Sequence, residues 1–232
     1  MTVLDDARIA VAPAGPADGR AATLRRALVG AAVATPPVVV AGLVVAGLPD
    51  YARLLVDEQS PITWLQTVLL VVAGVLAGLL AARRWLSGDR LHPWSLLAAG
   101  FVWLALDDRF LIHERLRDDV LAGRVPDVLP WGKSGDVVLL AYAVGGLVLT
   151  RSVLRALHDD RTARVAFVAA LGLLGLAAGI DSVDPASLTR SEELAEGTVE
   201  ESLELFGDAA FVLALALPAV AAEAPTAARS HP

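Results

Sequence analysis

The chain carries one long apolar run after another, and most of them stop at an arginine or an acid. Runs of about twenty such residues match the hydrocarbon thickness of a bilayer, where only helices and closed barrels can satisfy every backbone group. With 56% of its 232 residues hydrophobic, the chain has more apolar surface than a soluble core of this size needs. The expected fold is therefore an all-α integral membrane protein, a bundle of six transmembrane helices.

The six spans are expected at about Ala27–Leu48, Pro61–Ala82, Pro93–Arg117, Gly135–Leu157, Thr162–Ile180 and Glu200–Ala222. Pro36 and Pro37 inside the first should kink or divide it. Pro61 suits a first helical turn, with Ser60 as its cap. Residues 1–22, rich in Pro, Gly and Asp, read as a disordered cytoplasmic tail; 23–222 form the membrane domain; 223–232 read as a second disordered tail. Counting Lys and Arg near the span ends puts twelve on the side of both termini and six on the other, which predicts cytoplasmic termini. The dominance of Ala, Gly, Val, Leu and Arg over Lys suits a bacterial protein, and the cytoplasmic membrane is the expected location.

Several classes fall away on composition. No cysteine means no disulfide, thiolate nucleophile or Cys-based metal site. A net charge of -7 without a basic aromatic patch argues against nucleic acid. No G-x-S-x-G elbow, P-loop or Rossmann glycine pattern is present. Gly172, Gly175 and Gly179 lie inside an apolar run, where they suit close helix packing. The one lysine, Lys133, falls between the third and fourth spans, which excludes a retinal linkage in a late span. The partners that remain are membrane lipids, another copy of the chain, or a membrane complex.

The third run, FVWLALDDRFLIHERL, breaks the pattern. It sets Asp107, Asp108, Arg109, His113 and Glu114 where lipid-facing residues are expected, and such groups are costly unless they face protein, water or a counter-ion. In an unbroken helix Trp103, Asp107, Phe110 and Glu114 share one seam. On the sixth run Glu200, Glu204 and Asp208 share a face with Phe211, and Glu201 lies at its edge. The predicted topology brings these acids, with Asp57, Glu58, Asp136, Asp181 and Asp184, to the extracytoplasmic side. Carboxylates that close cannot all stay ionised without a cation, bound protons or an arginine between them.

Three readings share these residues. In the first, Asp108, His113, Glu204 and Asp208 bind a divalent metal ion (Mn, Mg, Ca, Fe or Zn), while Asp107 and Glu114 act as catalytic acid–base groups. Trp103, Arg109, Glu200, Glu201 and Asp181 would line the pocket or act as counter-ions. The expected chemistry is hydrolysis of a lipid-like ester or amide. The idea resembles that of the alkaline ceramidase and adiponectin-receptor group, but those enzymes share several intramembrane histidines. Here His113 is alone in any span, and membership is not assigned. In the second reading the same acids carry a cation or protons. In the third they form a structural charge network, with Arg109 neutralising Asp107 or Asp108. Trp64, Trp94 and Trp131 suit interfacial anchors. Val125–Asp136 suits an ordered outer re-entry in which Lys133 meets the acids or a lipid phosphate.

Overall fold

The computed structural model describes residues 16–57, 59–88, 93–121, 137–181 and 188–221, and these are helical and free of strands. Helix α1 spans Pro16–Gly47, α2 Ala52–Leu55, α3 Pro61–Leu86, α4 Trp94–Phe110 and α5 Ile112–Arg115. A wider, π-type stretch, Leu116–Leu121, follows α5; then come α6 (Val137–Ala156), α7 (Arg161–Asp181) and α8 (Arg190–Ala221). Four helices are long and apolar enough to cross a membrane: Gly19–Gly47, Pro61–Leu86, Arg161–Asp181 and Arg190–Ala221. Residues 1–15 of the expected first tail (1–22), the whole expected second tail (223–232), Glu58, the Val125–Asp136 re-entry with Lys133, and Asp184 lie outside the described residues.

Helix α1 begins at Pro16, inside the stretch read as tail, and runs unbroken through Pro36 and Pro37. The two prolines do not divide it. At the start of α3 the Ser60 hydroxyl accepts the Thr63 N–H at 3.4 Å, and Pro61 fills the first turn. Helix α8 begins ten residues before the expected sixth span. Its start is a capping box: the Thr189 N–H donates to the Glu192 carboxylate at 2.8 Å, and the Thr189 hydroxyl accepts the Glu192 N–H at 3.4 Å.

Helix α8 is the hub, with α7, α3 and α1 packed along it and α4 against α3. Helices α3 and α8 run in the same direction. Gln66 near the start of α3 meets Glu201, and Arg83 near its end donates to the Ala219 carbonyl at 2.7 Å. That carbonyl belongs to the last turn of α8, where helix carbonyls have no partner of their own. Helix α4 runs the opposite way, since Phe101 packs at Gly74 while Asp108 reaches Thr67. Helix α7 also opposes α8 and comes close enough at Gly207 that an added Cβ would sit 2.8 Å from Leu174. At the arginine end the Arg25 guanidinium clasps Asp160, just before α7, through two contacts of 2.6 Å.

Between the two ends lies an apolar waist. Phe211 of α8 stands edge-on to Phe101 of α4 and Phe167 of α7, with ring centroids 5.0 and 5.3 Å apart. Leu70, Ala77, Ala170, Ala214 and Leu215 close the layer around them.

Candidate functional site

The third apolar run does not continue as one helix. It stops at Phe110, and Leu111 takes a left-handed conformation at φ 51° before helix resumes at Ile112. Glycine or asparagine is usual there; a leucine costs about 1–2 kcal/mol. Asp107 supplies the compensation. Its Oδ1 accepts the His113 N–H at 2.7 Å and its Oδ2 lies 2.7 Å from the His113 Nδ1. The carboxylate thus caps the resumed helix and fixes the imidazole in one step. Strain held by such local contacts is typical of functional sites.

The expected seam is not one face: the break at Leu111 separates Glu114 from it, and the rest divides within α4. Asp107 is buried at 4% exposure, while Trp103 and Phe110 from the same expected seam are exposed. Asp108 accepts a hydrogen bond from the Thr67 hydroxyl of α3. Arg109 is exposed and, among the described residues, makes no ion-pair contact, but it lies within electrostatic reach of Asp108.

On α8 the acids sink progressively into the bundle. Glu200 is half-buried and engaged in a contact of its own. Over the next turn, Gln66 of α3 donates from Nε2 to the Glu201 carboxylate at 2.9 Å, to the Glu201 carbonyl at 3.0 Å and to Glu204 at 3.3 Å. Glu204 lies within electrostatic reach of Glu201, Asp108, Asp181 and Glu114, and Asp208 within reach of Glu204 and Asp108. Asp181, at the end of α7, lies within electrostatic reach of His113 as well.

Two groups therefore sit side by side at one end of the bundle. One is the Asp107–His113 pair; the other is the carboxyl cluster of Asp108, Glu201, Glu204 and Asp208 around Gln66. Among the described residues, no three His, Cys, Asp or Glu side chains are gathered as a ready metal cage. His113 turns its Nδ1 to Asp107, which leaves its Nε2 open.

Two side chains take larger roles than the sequence suggested. Gln66, within the expected second span, ties α3 to both glutamates. Tyr142 of α6 had not stood out at all. Its hydroxyl accepts the Trp103 indole N–H at 3.0 Å and lies within electrostatic reach of Asp107, which brings α6 beside the Asp107–His113 pair. The available signal was a lone hydroxyl within an apolar run.

At the far end of the molecule Arg25 acts on Asp160. Its hydrogen-bonded guanidinium, helped by the Ala163 N–H, holds that carboxyl below the ordinary carboxylate range despite partial burial.

No curated protein and no solved structure matches the chain. A family model described as a domain of unknown function, DUF8692, matches residues 21–219, which takes in every helix that builds the site. The chain belongs to the DUF8692 family.

Proposed function

We propose that this is a six-span protein of the bacterial cytoplasmic membrane, with both termini in the cytoplasm, that hydrolyses a lipid-like ester or amide at the outer leaflet. The observation that carries this reading is the Asp107–His113 pair, held across a strained helix break beside a cluster of carboxyl groups. An aspartate on Nδ1 orients an imidazole and stabilises its protonated form, which leaves Nε2 for proton transfer. His113 takes a proton from water as the water oxygen bonds to the substrate carbonyl. The imidazolium then returns that proton to the departing alcohol or amine as the acyl bond breaks. Glu114, next to His113, and a divalent cation at the acid cluster complete the machinery; the cation would polarise the carbonyl.

Membrane lipids surround this site in the reading, and the exposed apolar faces of α1 and α6 suit lipid or a second copy of the chain. The apolar waist of Phe101, Phe167 and Phe211 favours a one-ended pocket over a conduit, because it offers an ion no polar group. The crowding of Asp108, Glu201, Glu204 and Asp208 favours a second reading, cation or proton passage.

The deciding experiment offers the purified protein in nanodiscs a panel of lipid esters and amides and follows products by mass spectrometry. The expected result is turnover that falls by about 10²–10⁴-fold in His113→Asn. An inert parent protein, or full turnover in both His113→Asn and Asp107→Asn, would sink the hydrolase. Ion flux in proteoliposomes that Glu204→Gln abolishes would install the second reading.

A further inference from the structure

The Gln66 side chain is 1% exposed and donates from Nε2 only to α8, at Glu201 and Glu204. Its Oε1, carried on the same planar amide, has no hydrogen-bond partner, and neither does the Oδ1 of Asp208, a residue 3% exposed. Glu204 links the two: it accepts from Gln66 at 3.3 Å and lies one helical turn from Asp208, within its electrostatic reach. Both orphan atoms are acceptors. A buried acceptor without a partner is destabilising, and one acceptor cannot satisfy another. What these atoms lack is a hydrogen-bond donor or a positive charge, and the carboxyl groups of Asp108, Glu201 and Glu204 around them favour the charge.

The donor set narrows its nature. Carboxylate and amide oxygens select hard cations, whereas zinc, copper and iron favour imidazole or thiolate. The two unpartnered atoms are both oxygens, and the chain has no cysteine. Mg²⁺ demands near-ideal octahedral geometry and gives up water reluctantly, while Ca²⁺ accepts carboxylates and side-chain carbonyls in looser arrangements. We propose that Gln66, Glu204 and Asp208 form an oxygen-only site for a cation of the calcium class, with Asp108 and Glu201 supplying further negative charge. The proposal rests on the acidic pocket and its divalent cation as read above. It deepens that reading by naming the cation's class, adding Gln66 as a ligand and removing His113 from the ligand set.

The test is calorimetric titration of Ca²⁺, Mg²⁺ and Zn²⁺ into the chelator-stripped full chain in nanodiscs, at constant Na⁺ and without lipid substrate. Saturable Ca²⁺ binding is expected in the parent and in His113→Asn, tighter than Mg²⁺ or Zn²⁺, and lost in Gln66→Leu and Asp208→Asn. Melting in EGTA shows whether each variant remains folded. The parent protein alone decides the case if they do not. No Ca²⁺ binding by the parent, a preference for Zn²⁺ that disappears in His113→Asn, or Ca²⁺ binding that survives both ligand changes overturns the site. Lipid turnover is scored separately, so an inert enzyme that binds Ca²⁺ rejects the hydrolase and keeps the site.

Discussion

The same three helices build two unlike halves. Around Phe211, α3, α4 and α8 meet through aromatic edges and alanine faces, with no polar group to satisfy. One to three turns away they meet through Gln66, Thr67, Asp108, Glu201, Glu204 and Asp208, where an amide and a hydroxyl serve several carboxyl groups. In a bilayer, helix association depends on close packing and interhelical hydrogen bonds, because lipid is as apolar as leucine. The waist meets that requirement and the acidic end strains it. Stability and chemistry have been given to different lengths of the same helices.

The largest test of that division is Phe211→Ala. Removing the central ring leaves a cavity against Phe101 and Phe167 and should lower stability by about 3–5 kcal/mol. Thermal melting in detergent measures it. Ca²⁺ affinity of the fraction that remains folded should hold. If affinity falls with stability, the two halves are one cooperative structure and the contrast fails.

Close approach of α7 and α8 at Gly207 gives the second test. An added Cβ would sit 2.8 Å from Leu174 Cγ, and the Ala170 carbonyl at 3.5 Å limits the retreat. Gly207→Val should destabilise by about 1–3 kcal/mol through overpacking. An unchanged melting point would mean that the helices separate freely there.

Asp208 should respond with the opposite sign. Its buried Oδ1 lacks a partner, so Asp208→Leu in EGTA should stabilise the fold by about 0.5–2 kcal/mol while ending Ca²⁺ binding. A variant less stable than the parent in EGTA would show that the aspartate serves folding and not only function.

How much of this the chain announced follows the same division. Apolar runs bounded by arginines located the helices, and Ser60 with Pro61 marked the start of α3, because those signals are local. The i, i+4 spacing of Glu200, Glu204 and Asp208 put them on one face for the same reason. The start of α8 was legible too, in the Thr189-to-Glu192 capping box, but the polar turns after it were read as lying outside a span. Leu111 was not legible. Nothing in Phe110-Leu111-Ile112 forbids helix; the break is imposed by hydrogen bonds from Asp107 to a residue six positions on. Gln66 and Tyr142 matter through partners on other helices, and periodicity does not report those.

The smallest predicted effect lies farthest from the acids, at Arg25 and Asp160. There a partly exposed pair joins α1 to the entrance of α7, with side-chain exposures of 37% and 14%. Exposed pairs contribute about 0–1 kcal/mol, and the two-point guanidinium contact places this one toward the upper end. The folded-state pKa of Asp160 is lowered from an ordinary 3.8, so its contribution is complete above that value and is lost as pH falls through the lower folded one. Between neutrality and pH 5 the Arg25→Gln variant should therefore melt below the parent by a constant margin, which closes only in strong acid. A margin that instead opens and closes near neutral pH would trace the stability to a group other than Asp160. The arginine end would then hold a titrating site of its own, and the contrast between an inert half and a reactive half would not survive.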